Sequence, residues 1–186
     1  MQAKIVDIHQ HLIDRCRKND PKAQMELYKL YYKAMYNTCV RIIKDEMLAE
    51  DVMQEAFLMV FEKIATYKGQ STFGAWLKRV VINKTLDELK KKKIAFNSFE
   101  DSSEVLLIQE PESSSDHEAE LIQKINSVKM ALNYLPDGYR VVLSLYLFEG
   151  YDHEEISHIL KISESTARSQ LTRAKQKLLN VLNEKA

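Results

Sequence analysis

The sequence predicts an all-α protein of two small helical domains joined by an acidic flexible linker. Three observations lead there. Only 4 Gly and 3 Pro interrupt 186 residues, too few for the many turns of an all-β fold. Long stretches rich in Leu, Lys, Glu and Met carry apolar residues at helical spacing, and the 45% hydrophobic content is enough for real cores. Between these stretches lies Phe96–Glu120, with Ser clusters, a proline and no basic residue, a composition that does not close a core. The domains are therefore drawn at 1–95 and 120–186, with the linker at 96–119.

Four helices are expected before the linker. The first runs from about Ile5 to Lys18. The second opens at Asp20-Pro21, a capping residue followed by proline at the first helical position, and reaches about Ile43. The third covers Glu46 to Lys63, with Ala49, Val52, Met53, Ala56, Phe57 and Val60 as its core face. The fourth begins where Ser71 or Thr72 can cap, packs through Phe73, Trp76, Leu77, Val80 and Val81, and ends in Lys90–Lys93. Lysines suit the negative end of a helix dipole.

Four more follow the linker. Leu121, Ile125, Val128, Leu132 and Leu135 form one stripe. Pro136-Asp137 starts a helix that stops at Gly150, a natural left-handed cap. Asp152 and Glu155 read as a capping box for a short helix to Lys161. Ser163 caps the last helix, which buries Ala167, Leu171, Ala174, Leu178 and Leu182.

Net charge is zero, but it is unevenly spread. Residues 1–95 carry 18 Lys+Arg against 12 Asp+Glu, residues 96–120 carry none against 8, and residues 121–186 carry 9 against 7. An acidic bridge thus separates two basic ends. With no net positive charge, the free chain is expected to bind duplex DNA weakly. The N-terminal stretch has no continuous apolar core like a signal peptide, and no segment reaches the length of a membrane span. Cys16 and Cys39 form no CxxC and read as buried reduced thiols. A cytoplasmic location is expected. His9, His11, His117, His153 and His158 show no metal-ligand spacing, and no nucleotide-binding, hydrolase or metalloprotease motif occurs. No cofactor, no metal and no catalytic activity are expected.

A short helix, a tight turn and a longer helix form a DNA-reading unit when the second helix shows the right face. Opposite its apolar side, the last helix presents Ser165, Ser169, Thr172 and Gln176, flanked by Arg168 and Arg173, with Lys175 and Lys177 at the edges. Arginine can bond guanine twice, and hydroxyls and amides read base edges or hold phosphates. On the third helix, Asp51, Gln54, Glu55, Leu58 and Glu62 share the side away from the core. A solvated face and a face for a basic helical partner fit these residues equally well. The loop Tyr67–Ser71 combines an aromatic ring, a base, amides and a glycine, a set able to hold an unstacked base. Thr72, Arg79 and Asn83 line the helix beyond it, with Asp87 near the edge.

The segment LPDGYRVVLSLYLFEGYDHEEISHILKISESTARSQLTRAKQKL resembles the fourth conserved region of sigma factors. AEDVMQEAFLMVFEKIATYKGQSTFGAWLKRVVINKTLDELKKKK resembles the second. With two domains and a short linker, the chain looks like the minimal extracytoplasmic-function form. The resemblance implies promoter-specific initiation on core RNA polymerase. Asp51, Gln54, Glu55, Leu58 and Glu62 would grip the clamp of the large subunit. Tyr67, Lys68, Gly69, Gln70, Ser71, Thr72, Arg79, Asn83 and Asp87 would meet the −10 element, with Tyr67 lining the pocket for a flipped base. Ser165, Thr166, Arg168, Ser169, Thr172, Arg173 and Gln176 would meet the −35 element. Some relatives carry phenylalanine at the place of Tyr67 and asparagine at that of Asp87, which leaves the preferred base open. An anti-sigma factor is an implied partner.

Overall fold

The computed structural model describes residues 7–96 and 117–184. The first six residues and most of the expected linker lie outside the described residues. The chain divides into two compact units, 1–93 and 94–186, and no strand occurs among the described residues.

In the first unit, α1 (Gln10–Arg17) is shorter than its sequence pattern suggests. Asp7 accounts for the late start. Its carboxylate accepts the His9 N–H at 2.9 Å and the Phe73 N–H at 2.7 Å, holding a turn where a helix would otherwise run. Leu12, Ile13 and Cys16 face the core, and burial pushes the Cys16 thiol pKa up. Helix α2 (Pro21–Ile43) opens as expected, with Asp20 accepting from the N–H groups of Lys22 and Ala23. Arg15 binds the same carboxylate at 2.7 Å and is the main reason its pKa falls below the usual range.

Helix α3 (Glu46–Lys63) buries the six residues its period selects. Its cap Asp45 accepts from the Leu48 N–H and pairs with Lys92 at 3.2 Å. A 3-10 turn (Ile64–Thr66) and a loop lead to α4 (Phe73–Phe96). Thr72 caps α4, its Oγ1 accepting from the Ala75 N–H and its carbonyl from the Trp76 N–H. The helix continues through the lysine run that was expected to end it. Its core face is also longer than the pattern indicates, with Ile82, Thr85, Leu86 and Leu89 buried but Trp76 and Val80 only half-buried. Thr85 donates to the Val81 carbonyl at 2.7 Å and meets the Cys39 thiol at 3.2 Å, which ties α4 to α2.

The second unit contains α5 (His117–Asn133), α6 (Asp137–Leu147), α7 (His153–Leu160) and α8 (Glu164–Glu184). Leu132 and Leu135 from α5 and its exit, Val142 and Leu143 from α6, and Leu171 and Ala174 from α8 form the centre of its core. Ile125 stays 43% exposed, and Val181 replaces Leu182 as the last fully buried residue of the α8 stripe. Helix α6 ends at Leu147, before Gly150, whose φ of 77° makes the left-handed step towards α7. The Arg140 guanidinium is buried, bonding the Leu135 carbonyl at 3.3 Å and the Asp137 carboxylate at 2.7 Å. Burial lowers its pKa, and Asp137 opposes the shift.

Candidate nucleic-acid and protein interfaces

The turn before α8 is built from local bonds. Asp152 and Glu155 form a reciprocal capping box at α7. Lys161, at φ 57°, ends that helix. Ser163 then accepts the Thr166 N–H at 3.1 Å, and its carbonyl accepts the Ala167 N–H. These bonds fix the angle at which α8 leaves the unit.

The apolar face of α8 is buried, so Ser165, Arg168, Ser169, Thr172, Arg173 and Gln176 are left exposed. Thr166 stands apart: it is half-buried, and its hydroxyl lies 2.7 Å from that of Ser163, within the cap. Ser169 and Thr172 donate to helix carbonyls of Thr166 and Arg168. Their free lone pairs are therefore aimed outward as acceptors. Arg168 pairs with Glu164 at 2.7 Å, whereas Arg173 has no ion-pair partner among the described residues. Lys175 lies 4.4 Å from the Tyr146 ring centroid, and that ring stacks on His153. This edge cation is thereby anchored to α6.

On α3, Asp51, Gln54, Glu55, Leu58 and Glu62 are all exposed, and Leu58 is 65% accessible. Met47, 82% exposed, extends the same stripe by one turn. Its place four residues before Asp51 puts it on that face by spacing alone, a position legible in the sequence. Glu55 is not free. It pairs with Lys84 of α4 at 2.7 Å, and that bond holds its carboxyl below the usual range.

The loop before α4 departs from expectation at its first residue. The Tyr67 ring is not offered to an unstacked base, since Tyr67 is only 3% exposed. It packs edge-on against Phe73 and tilted on Trp76, with centroids 5.5 and 5.4 Å away. Its hydroxyl donates to the Ser71 carbonyl at 2.7 Å. Three aromatic rings bury more area together than one ring gains by standing in solvent. Tyr67 thus forms the floor of the loop. Lys68, Gln70 and Thr72 are exposed above it, Ser71 is half-buried, and Gly69 takes a φ of 69°. Arg79, Asn83 and Asp87 continue as an exposed line along α4, with Lys90 4.0 Å from Asp87.

Among the described residues, no cluster of His, Cys, Asp or Glu could hold a metal ion, and no helix is long and apolar enough to cross a membrane. Both cysteines are buried and unpaired with each other.

Residues 27–94 match the family model Sigma-70 region 2, and residues 125–178 match Sigma-70, region 4. The ECF RNA polymerase sigma factor SigM of Bacillus subtilis (strain 168) is 32% identical over 158 residues, which cover 85% of this chain and 94% of that protein. The RNA polymerase sigma-H factor of Pseudomonas aeruginosa is 27% identical, with 90% of each chain covered. Among solved structures, the sigma factor RpoE in complex with the anti-sigma factor NepR, from Bartonella quintana, superposes with a TM-score of 0.63. That match has 20% identity and covers 86% of this chain and 96% of RpoE, a likeness of fold.

Proposed function

The chain belongs to the extracytoplasmic-function family of RNA polymerase sigma factors, and from that premise we propose how its surfaces divide the work. It binds core RNA polymerase and directs promoter-specific initiation. The α3 stripe of Met47, Asp51, Gln54, Glu55, Leu58 and Glu62 takes the clamp of the large subunit. The loop from Tyr67 to Thr72, with Arg79, Asn83 and Asp87, takes the −10 element. The α8 face takes the −35 major groove through Arg168 and Arg173, supported by Ser165, Ser169, Thr172 and Gln176, with Thr166 holding the cap. The residues around 96–119 link the two units, and their acidity suits a basic channel of the polymerase. The protein acts in the cytoplasm, catalyses no reaction itself and is held in reserve by an anti-sigma factor, as RpoE is found with NepR.

One observation supports the division best. The α3 stripe is acidic, exposed and centred on an apolar Leu58, a surface that duplex DNA repels and a basic protein helix attracts. Run-off transcription with purified core polymerase and a candidate promoter, with and without the chain, tests the reading. A specific transcript that needs both chain and core is expected. Duplex binding by the chain alone, with no transcript, would instead indicate an ordinary regulator, and no promoter dependence at all would indicate a protein-interaction module.

A further inference from the structure

We infer that Asp7 is a positioning residue for the Tyr67–Thr72 loop, setting the geometry with which that loop selects a base. The inference rests on the −10 reading of the loop. Asp7 is 6% exposed, and both of its carboxylate oxygens are used. Oδ1 accepts the His9 N–H at 2.9 Å, and Oδ2 accepts the Phe73 N–H at 2.7 Å, across 66 residues of chain. The loop is thereby held at its exit. It is held at its entrance by Arg17, whose Nη2 donates to the Tyr67 carbonyl at 2.6 Å. Between these points the Tyr67 hydroxyl donates to the Ser71 carbonyl.

Capping α4 does not by itself require Asp7. Thr72 already receives the Ala75 and Trp76 N–H groups in the usual manner. What Asp7 adds is a fixed direction for the backbone at Phe73, immediately after the exposed groups of Lys68, Gln70 and Thr72. Contacts that discriminate bases need groups held to within about 0.5 Å, and a six-residue loop with Gly69 in the left-handed region does not hold itself so closely. The segment around α1 therefore acts on DNA through the loop while touching none of it.

The test uses holoenzyme assembled from core polymerase and the full chain, transcribing a template pool randomised across the −10 and −35 segments, with the transcripts sequenced. For Asp7→Ala, preference at the loop-read −10 base falls about tenfold, while −35 preference is unchanged. Asp7→Asn, which keeps one acceptor oxygen, recovers part of the loss. Arg17→Met, which frees the other end of the loop, flattens the same base and serves if Asp7→Ala fails to fold. An even drop in all transcripts with both preferences intact, in both variants, would overturn the inference and leave Asp7 a purely structural residue. Gln70→Ala and Asn83→Ala check the premise separately. If neither alters −10 preference, the loop reading fails, and the role of Asp7 fails with it.

Discussion

Glu164→Gln gives the sharpest test of how α8 engages DNA. Arg168 is bonded to Glu164 at 2.7 Å, with side-chain exposures of 65% and 52%. An exposed pair at this spacing is worth about 0.3–0.5 kcal/mol, whereas an arginine bonding guanine twice is worth about 1–3 kcal/mol of discrimination. Under the proposed reading, DNA therefore wins the guanidinium, and Glu164 is a weak competitor that keeps the side chain extended. Removing the competitor should strengthen −35 recognition by about twofold, the factor that 0.3–0.5 kcal/mol represents. Arg168→Ala should weaken −35 discrimination by about 5- to 150-fold, corresponding to the full 1–3 kcal/mol.

The assay is run-off transcription by holoenzyme on templates differing only in the −35 element, at fixed salt, since loss of an acidic charge also alters phosphate attraction. The double variant completes a thermodynamic cycle. In the Arg168→Ala background, Glu164→Gln should no longer change base preference, because its ion-pair partner among the described residues is gone. If Glu164→Gln instead erodes preference at one position in both backgrounds, Glu164 itself accepts a bond from a cytosine amine, and the competitor argument is refuted.

Three further outcomes follow from the same geometry. Arg140→Ala strips a buried guanidinium from the second unit but leaves Asp137 32% exposed and able to hydrate, so the cost should be about 2–3 kcal/mol, below that of a fully buried pair. In urea, the far-UV circular dichroism of α5–α8 should melt earlier, while the fluorescence of Trp76, the single tryptophan, should not move; a shift in both would mean that the units do not unfold separately. Leu58→Asp, at a site 65% exposed, should change stability by no more than about 0.5 kcal/mol yet weaken core-polymerase binding at least tenfold; unchanged binding would remove α3 from the interface. Asp20, Asp45 and Glu55 all have lowered pKa values, caused chiefly by Arg15, the Leu48 N–H and Lys84 respectively. Their stabilisation is complete above the unfolded values near about 4 and is lost as pH falls through the lower folded values. The urea midpoint followed by Trp76 should thus decline below about pH 4, and a flat profile there would contradict the assignment.

How far the sequence discloses this structure depends on the range of each interaction. The six core residues of α3 are legible because they obey one period over about three turns. The caps at Asp20, Asp152 and Ser163 are legible because donor and acceptor lie within three residues. At the end of α8 the pattern selects Leu182 where Val181 is buried, since a 3.6-residue period drifts and either residue can close the stripe. The Tyr67 ring misleads for another reason. Loop composition suggests display, and only the arrival of Phe73 and Trp76 makes the ring a floor. Asp7 to Phe73, Arg17 to Tyr67 and Glu55 to Lys84 join residues 66, 50 and 29 apart. No local pattern encodes such bonds, because they depend on how the packed helices bring distant backbone and side chains together.

The hydrogen bonds and ion pair that join distant residues fall on the first unit's candidate faces, whereas the α8 face is held by local caps, its buried stripe and the contact of Lys175 with Tyr146. Helix α8 orients its exposed polar face chiefly through local caps and its own buried stripe, so most of that geometry follows from one continuous stretch of sequence. The loop proposed for the −10 element has no such independence. Its two ends are held by α1 and the turn before it, and its floor by the start of α4. A rigid helix in a groove reads duplex DNA as it finds it, whereas a pocket that accepts an extruded base must be preformed to compensate for unstacking. On the proposed reading, the demand for tertiary support is greatest where the DNA must be distorted, and that is where the bonds least visible in the sequence lie.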